Sequence, residues 1–423
     1  MTTIFQVIGK PESYQEKEFT IDGVSYTTPL CSDALRRHLM EKGEEVDLTI
    51  FVPESMLIKD NLDTFKEKLA DKGIDDFETV TIPPVGRYRE QDVEVYFSGS
   101  VETIATAIFL HLLKERPGKL FIDLSTGFNI YPVSLLEATK RYLTYRKMEK
   151  ILQGSSDVDA SAIFTPPVTR TVQSYIVEIQ HLDVKAFFSL PNANIDKIVK
   201  LCPESLKDEL GRINRENAGL KKEFRHMFEE LRLAYNAIRL NIPLTFYELL
   251  QMSYGIDELE RKIVRFVEKL LEPHENGNRV ERFPLDGVNV SNVFYAIAMF
   301  RSIREFRESL SEPEIDEILE KFTEVYRNRN TGTGVNEYFL QRDVNEIKKH
   351  SEKLSDGETE LLGMLIHGQN FYKSSASKRN FFAHSGFLQE YTLVERKNGK
   401  IILRWAENRR KEIKNWILNP EKN

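Results

Sequence analysis

Two hydrophobic periods divide this 423-residue chain and constrain its fold more than any other feature. Over the first 165 or so residues, short apolar runs alternate with segments of helical spacing. Thr3–Ile8, Val46–Val52, Phe77–Ile82, Leu120–Leu124 and Ala160–Phe164 read as strands. Leu30–Met40, Leu57–Ala70, Val101–Lys114 and Pro132–Arg146 read as helices between them. Such alternation predicts a parallel sheet wrapped by helices. After about residue 185 the strands nearly stop. Helical spacing runs through Ile195–Leu210, Ala218–Leu240, Pro243–Met252, Ile256–Leu271, Val290–Leu310, Ile315–Arg327, Val344–Leu354 and Glu358–Leu365. A small hairpin, Leu388–Val394 with Lys400–Leu403, turns at Asn398-Gly399, and a last helix follows over Trp405–Ile417. The expected fold is an α/β Rossmann-like parallel-sheet N-terminal domain, residues 1–180, followed by an all-α C-terminal region, residues 181–423. Val172–Ala186 reads as the connector.

Composition narrows the function. A net charge of −7 argues against a broad cationic surface for duplex nucleic acid. Cys31 and Cys202 are the only cysteines, so no disulfide framework or Cys-based zinc site is expected. No apolar run reaches the length of a membrane span. Met1-Thr2-Thr3-Ile4-Phe5 lacks the pattern of a secretory signal, so a cytoplasmic protein without membrane association is expected.

The richest chemistry lies in Ser-Lys-Arg-Asn-Phe-Phe-Ala-His-Ser-Gly-Phe, residues 377–387. Arg379, Asn380 and His384 fall within one and a half helical turns, on a frame of Phe381, Phe382 and Phe387. Arg neutralises a phosphate through parallel donors. His moves a proton near neutral pH, and Asn orients either one. The set suits phosphodiester chemistry, with Arg379, Asn380 and His384 as the candidate catalytic residues. The same residues would also serve as a capped, solvated helix end.

Ligands of open parallel sheets bind at the carboxyl ends of strands. Those ends supply Gly9, Lys10, Ser13 and Tyr14 after the first strand, and Ser55 after the second. Ser125, Thr126, Gly127 and Asn129 lie in the loop Asp123–Asn129, whose hydroxyls and helix start suit phosphate or ribose. Each loop is also an ordinary helix-cap loop when taken singly; together they suggest a nucleotide-like ligand. No G-x-G-x-x-G follows the first strand and no P-loop occurs, so NAD binding and P-loop hydrolysis are not expected. No His/Asp/Glu spacing suggests a metal site. The polar stretch Arg327–Gly334 reads as a solvated loop.

Arg379-Asn380-Phe381-Phe382-Ala383-His384 resembles the HEPN ribonuclease motif. Asp123–Asn129 resembles the strand-to-helix loop of CARF domains, the Rossmann-like sensors of CRISPR systems, with Thr126 where many members carry His. Gly9-Lys10-Pro11 through Tyr14 and Pro53-Glu54-Ser55 are similar to loops of the same family. Nearly the whole chain thus resembles the CARF–HEPN accessory ribonucleases of type III CRISPR systems. The resemblance implies an antiviral, metal-independent endoribonuclease that cuts single-stranded RNA. It implies no cofactor, and an allosteric activator, a cyclic oligoadenylate and by resemblance the cyclic tetra-adenylate. It implies a homodimer, or a higher multiple of dimers, with a composite site. Alternatives are a ring nuclease that cleaves its own activator, using Lys10, Ser125 and Thr126, a ligand-gated RNA-binding regulator with an inactive HEPN domain, and, least favoured, a nucleotide-dependent metabolic enzyme.

Overall fold

The computed structural model describes residues 1–9, 14–58, 62–90, 93–125, 129–154, 158–166, 172–372 and 377–421. The N-terminal half runs β1 (Thr2–Val7), β2 (Lys17–Ile21), β3 (Val24–Thr28), α1 (Cys31–Glu41), β4 (Val46–Pro53), α2 (Leu62–Ala70) and β5 (Glu78–Ile82). It continues through β6 (Val85–Glu90), β7 (Val93–Ser98), α3 (Val101–Glu115), β8 (Lys119–Asp123), α4 (Ile130–Met148), β9 (Asp159–Phe164), β10 (Ser174–Ile176) and β11 (Glu178–His181). The main sheet has the order β11-β9-β8-β1-β4-β5, parallel except for its edge strand β11. The α/β expectation is therefore met, and the connector supplies the antiparallel edge.

Side chains alternate across this sheet, as a period of two requires. Ile4, Ile50 and Val52 face α1 and α2, in a core that also takes Leu35, Phe65 and Leu69. Phe5, Val7 and Phe51 face α3 and α4. His111 of α3 meets the rings of Phe5 and Phe51 edge-on at 6.1 and 5.4 Å, and burial pushes its pKa down to about 4, so it is a neutral core residue.

The second core does not end with the sheet. It runs on into the helical half: α5 (Lys207–Glu216), α6 (Ala218–Arg239), α7 (Thr245–Glu248), α8 (Ile256–Leu271), β12 (His274–Asn276), β13 (Arg279–Glu281), α9 (Gly287–Glu308) and α10 (Ile315–Arg327). There follow α11 (Val335–Ser351), β14 (Thr359–Leu361), α12 (Leu362–His367), α13 (Ser377–Ala383), β15 (Thr392–Lys397), β16 (Lys400–Trp405) and α14 (Arg410–Leu418). Phe109 of α3 meets Phe294 of α9 edge-on at 5.5 Å. Between these helices Glu149, 4% exposed, is gripped by Arg116 and Arg301, and Arg301 also reaches Glu260 and Asp257.

Several local expectations are corrected. Two hairpins were not anticipated. β2–β3 turns at Asp22-Gly23, both at positive φ (49° and 81°), as a two-residue hairpin turn of the primed kind requires. β6–β7 joins β13 and β12 of the helical half in one four-stranded sheet, β12-β13-β7-β6. Ile195–Leu210 is not one helix, because Pro203 interrupts it and α5 starts only at Lys207. Pro243–Met252 holds only the single turn of α7. The helix expected over Val344–Leu354 begins at Val335, because exposed Val335, Tyr338 and Phe339 break its amphipathic pattern. Glu358–Leu365 starts as strand β14, which pairs with β15, and the last helix starts at Arg410, since Trp405 ends β16. Arg327–Gly334 is not simply solvated. Thr331 and Thr333 are buried, and the Asn328 amide donates to the carbonyls of Ile151 and Leu152, in the turn that follows α4, at 3.1 and 2.8 Å. No helix among the described residues is long and apolar enough to cross a membrane.

Candidate functional site

Phe381 anchors α13. It is fully buried, with ring centroids 5.8 Å from Trp405 and 5.5 Å from Trp416. That anchor leaves Arg379 exposed and Asn380 half-buried, while His384 follows the last helical residue with about half its side chain exposed. Asn380 and His384 stand one helical turn apart, and the Asn380 carbonyl accepts the His384 N–H at 3.1 Å. Arg379 lies five positions before His384, which on an α-helix is about 140° further round the axis.

The helix stops by a turn that its own sequence dictates. Ser385 and Gly386 both take positive φ, 52° and 75°, and the Gly386 N–H bonds back to the Phe381 carbonyl at 2.9 Å. A Cβ on Gly386 would stand 2.5 Å from Ile242 Cγ2, so space as well as backbone conformation demands glycine here.

The turn delivers His384 to α11. Its Nδ1 lies 3.8 Å from Oδ1 of Asp343, an ion-pair separation rather than a hydrogen bond. Asp343 is 4% exposed. Its Oδ2 accepts from the Ser385 hydroxyl at 2.7 Å, and its Oδ1 accepts from Arg342 at 2.8 and 3.1 Å. Burial alone would raise the Asp343 pKa, but His384, Ser385 and Arg342 outweigh it and hold the carboxyl below the usual range. Asp343 in turn raises the pKa of His384, against burial and the nearby Arg342 charge. An imidazole so placed is more basic than a free one, and the Arg342 guanidinium stands nearby. Such a pair can move a proton and neutralise a phosphate.

Arg342 and Asp343 were not anticipated from sequence. Their signal was an Arg-Asp pair just ahead of the helix expected at Val344. The Arg342 guanidinium also donates to the Ala383 carbonyl at 3.3 Å and lies over the Phe339 ring at 5.3 Å.

The second candidate site is the carboxyl edge of the main sheet. β8, β1 and β4 are neighbours in register, so the loops carrying Ser125, Gly9 and Ser55 come side by side. The Gly9 N–H donates to the Tyr14 hydroxyl at 3.0 Å. Ser55 is buried, and among the described residues the Oγ atoms of Ser55 and Ser125 make no hydrogen bond of normal geometry. Asn129 is exposed at the start of α4. Lys10, Ser13, Thr126 and Gly127 lie outside the described residues.

Three further groups stand at this edge, of which Asp123 and Tyr88 lie in strand-end loops read from the sequence and Tyr131 does not. Asp123 is 1% exposed, and its carboxylate accepts the N–H groups of Ser32 at 3.0 Å and Ser125 at 2.8 Å. It therefore ties the β8 loop to the start of α1, while burial pushes its pKa up to about 6. The hydroxyls of Tyr88 and Tyr131 stand 3.1 Å apart. Among the described residues no group of three or more His, Cys, Asp or Glu is placed to hold a metal ion.

Both halves of the chain are similar to known domains. A model of the CARF domain of the CRISPR system endoribonuclease Csx1 matches residues 3–166. A model of the HEPN domain of Csx1 matches residues 333–407, which include Arg342, Asp343 and Arg379–His384. The CRISPR system endoribonuclease Csx1 of Methanocaldococcus jannaschii is 27% identical over 366 residues, covering 82% of this chain and 75% of its own length. With a sensor-type α/β domain followed by a helical region that carries the Arg–His motif, the chain belongs to the CARF–HEPN family of CRISPR-associated accessory ribonucleases.

Proposed function

We propose that this chain is an endoribonuclease that cuts single-stranded RNA without a metal ion, and that a cyclic oligoadenylate switches it on. The observation that carries the reading is His384, held against the buried carboxylate of Asp343 in the same short segment as an exposed Arg379. In RNA the 2′-hydroxyl attacks the neighbouring phosphorus and the 5′-oxygen leaves, giving a cyclic phosphate and a free 5′-hydroxyl. DNA lacks that hydroxyl and is spared. Arg379 offsets the extra negative charge of the transition state. His384 transfers a proton to or from the reacting oxygens, and Asn380, on the same helical face, orients it.

The activator is placed over the carboxyl edge of the main sheet, against Gly9, Lys10, Ser13, Tyr14, Ser55 and the Ser125–Asn129 loop, with Thr126 and Gly127 in that loop. The buried hydroxyls of Ser55 and Ser125, which make no hydrogen bond of normal geometry among the described residues, support this placement. The cyclic tetra-adenylate is favoured by family resemblance. The angle between Arg379 and His384 supports a composite site: one copy spreads the two groups around α13, and a two-fold partner brings a second pair. A homodimer, or a multiple of it, in the cytoplasm follows as the working form of an antiviral ribonuclease.

The test is cleavage of a fluorogenic single-stranded RNA in EDTA, with and without each cyclic oligoadenylate, alongside light scattering. Activator-dependent cleavage by a dimer is expected. Strict dependence on added divalent metal, indifference to every cyclic oligoadenylate, or full activity from a dilute monomer would overturn the corresponding part of the reading.

A further inference from the structure

We propose that Asp343, held by Ser385 and Asn241, is the positioning residue that fixes the imidazole of His384 for proton transfer. The inference rests on the catalytic role given to His384 above. It adds residues from α11 and from the end of α6 to a motif that sequence confined to eleven positions.

The arrangement is a line of side chains. Asn241 follows α6 and is 5% exposed, and its Nδ2 donates to the Ser385 hydroxyl at 2.8 Å. Ser385, 1% exposed, donates its hydroxyl hydrogen bond to Asp343 at 2.7 Å, and Asp343 faces His384 Nδ1. Each donor in the line has one acceptor, so the direction of every hydrogen bond is set.

Two features separate this line from an ordinary buried carboxylate. Asn241 and Ser385 both adopt left-handed backbone conformations, φ 58° and 52°, where glycine would be easier. Glycine at either place would remove the link that joins them. In addition, α11 grips three consecutive positions at the end of α13. Arg342 takes the carbonyl of Ala383, Asp343 faces His384, and Asp343 also accepts from Ser385. The backbone on either side of the imidazole is thereby held to one helix.

The chemical consequence concerns the two ring nitrogens. Nδ1 is directed at a carboxylate, which leaves Nε2 for the substrate. The charged groups around the ring are Asp343, Arg342 and Glu346, all from α11, and the two acids outweigh the one cation.

The experiment uses the full chain. Histidine-selectively labelled protein is titrated by NMR, with the His384 signal assigned from His384→Ala, and RNA cleavage is followed against pH at saturating activator. Asp343→Asn keeps the side-chain shape and a bond to Ser385. It is expected to lower the His384 titration midpoint, to move the limb of the rate profile that reports His384 to lower pH, and to reduce turnover by roughly tenfold or more. An unchanged midpoint with an unchanged profile overturns the proposal. Should Asp343→Asn fail to fold, Asp343→Ser, which removes the carboxylate and keeps a small polar side chain toward Ser385, is expected to lower the midpoint likewise, and no shift overturns it. If the wild-type protein cleaves no RNA, the ribonuclease reading fails, and the midpoint alone decides the pairing.

Discussion

Arg282, just beyond β13 in the helical half, holds both carboxylate oxygens of Glu54, at the carboxyl end of β4 in the other half. Its side chain is 1% exposed. Its Nε donates to the Leu271 carbonyl at the end of α8, and its backbone N–H donates to Ser98 Oγ, each at 2.9 Å. One guanidinium thus pins a sheet end next to Ser55, a hairpin arm and a helix terminus. Removing it leaves Glu54 without its charge partner. Arg282→Met is expected to lower stability by about 3 kcal/mol, read as the midpoint of urea unfolding. A midpoint equal to wild type would show that the pair adds nothing.

The motif residues are expected to separate chemistry from folding. Arg379→Ala removes an exposed side chain, so its circular dichroism and melting should match wild type; His384→Ala should keep its circular dichroism and melt somewhat lower, because Asp343 loses one partner but keeps Ser385 and Arg342. RNA cleavage should fall below detection in both, while the wild-type protein keeps its activity in EDTA. Near-normal rates in either variant would remove that residue from the proposed mechanism.

Asn129 lies at the proposed activator site and far along the chain from His384. Asn129→Ala is expected to raise the activator concentration needed for half-maximal cleavage and to leave the saturated rate unchanged. A coupling of about 1–3 kcal/mol between the sites corresponds to roughly 5–150-fold in affinity. Calorimetry with the full chain checks the binding step directly, and equal affinities would place Asn129 outside the site.

Gly386 answers a steric question. Gly386→Ala must fit a methyl against Ile242 and hold a left-handed φ. A loss of about 1–3 kcal/mol is expected from backbone strain alone. The variant should also lower cleavage, because the same turn carries His384 to α11. Thermal melting and turnover should therefore fall together.

Asp123 makes stability depend on pH. Its folded pKa, about 6, lies above its ordinary value of 3.8. The folded state therefore favours the protonated acid. This group's contribution is greatest below the unfolded value and declines as pH rises through the window from 3.8 to about 6, by on the order of 3 kcal/mol. Asp123→Asn should flatten that decline. Urea unfolding of both proteins at pH 4, 5, 6 and 7 checks it, and parallel curves would contradict it.

The central strands of the main sheet, β1, β4 and β8, were legible because they are largely buried on both faces and read as nearly unbroken apolar runs. Helices with one apolar face, such as α8 and α10, were equally plain. The hairpins β2–β3 and β6–β7 were hidden, since polar alternation in Lys17–Thr28 and Arg87–Tyr96 resembles a loop as much as a strand. The extent of α11 was hidden for the opposite reason: exposed Val335, Tyr338 and Phe339 obscure its polar face. At the candidate catalytic site, the Arg379–His384 segment stood out because all its chemistry is local. Asp343 and Asn241 did not, because their partner Ser385 is 42 and 144 positions away. No spacing rule reaches across such distances.

The sheet that β6–β7 shares with β12–β13 also bears on how the chain emerges from the ribosome. Tyr96 pairs with Arg279 and Phe97 with Val280. The arm is made first and must await its partner strand. At about 5–20 residues per second that interval is on the order of ten seconds or more. Throughout it, the edge of Val93–Ser98 is an unfilled template for any passing strand, including the same arm on a neighbouring nascent chain. Release of the N-terminal half alone, by truncation or proteolysis, would make that transient hazard permanent.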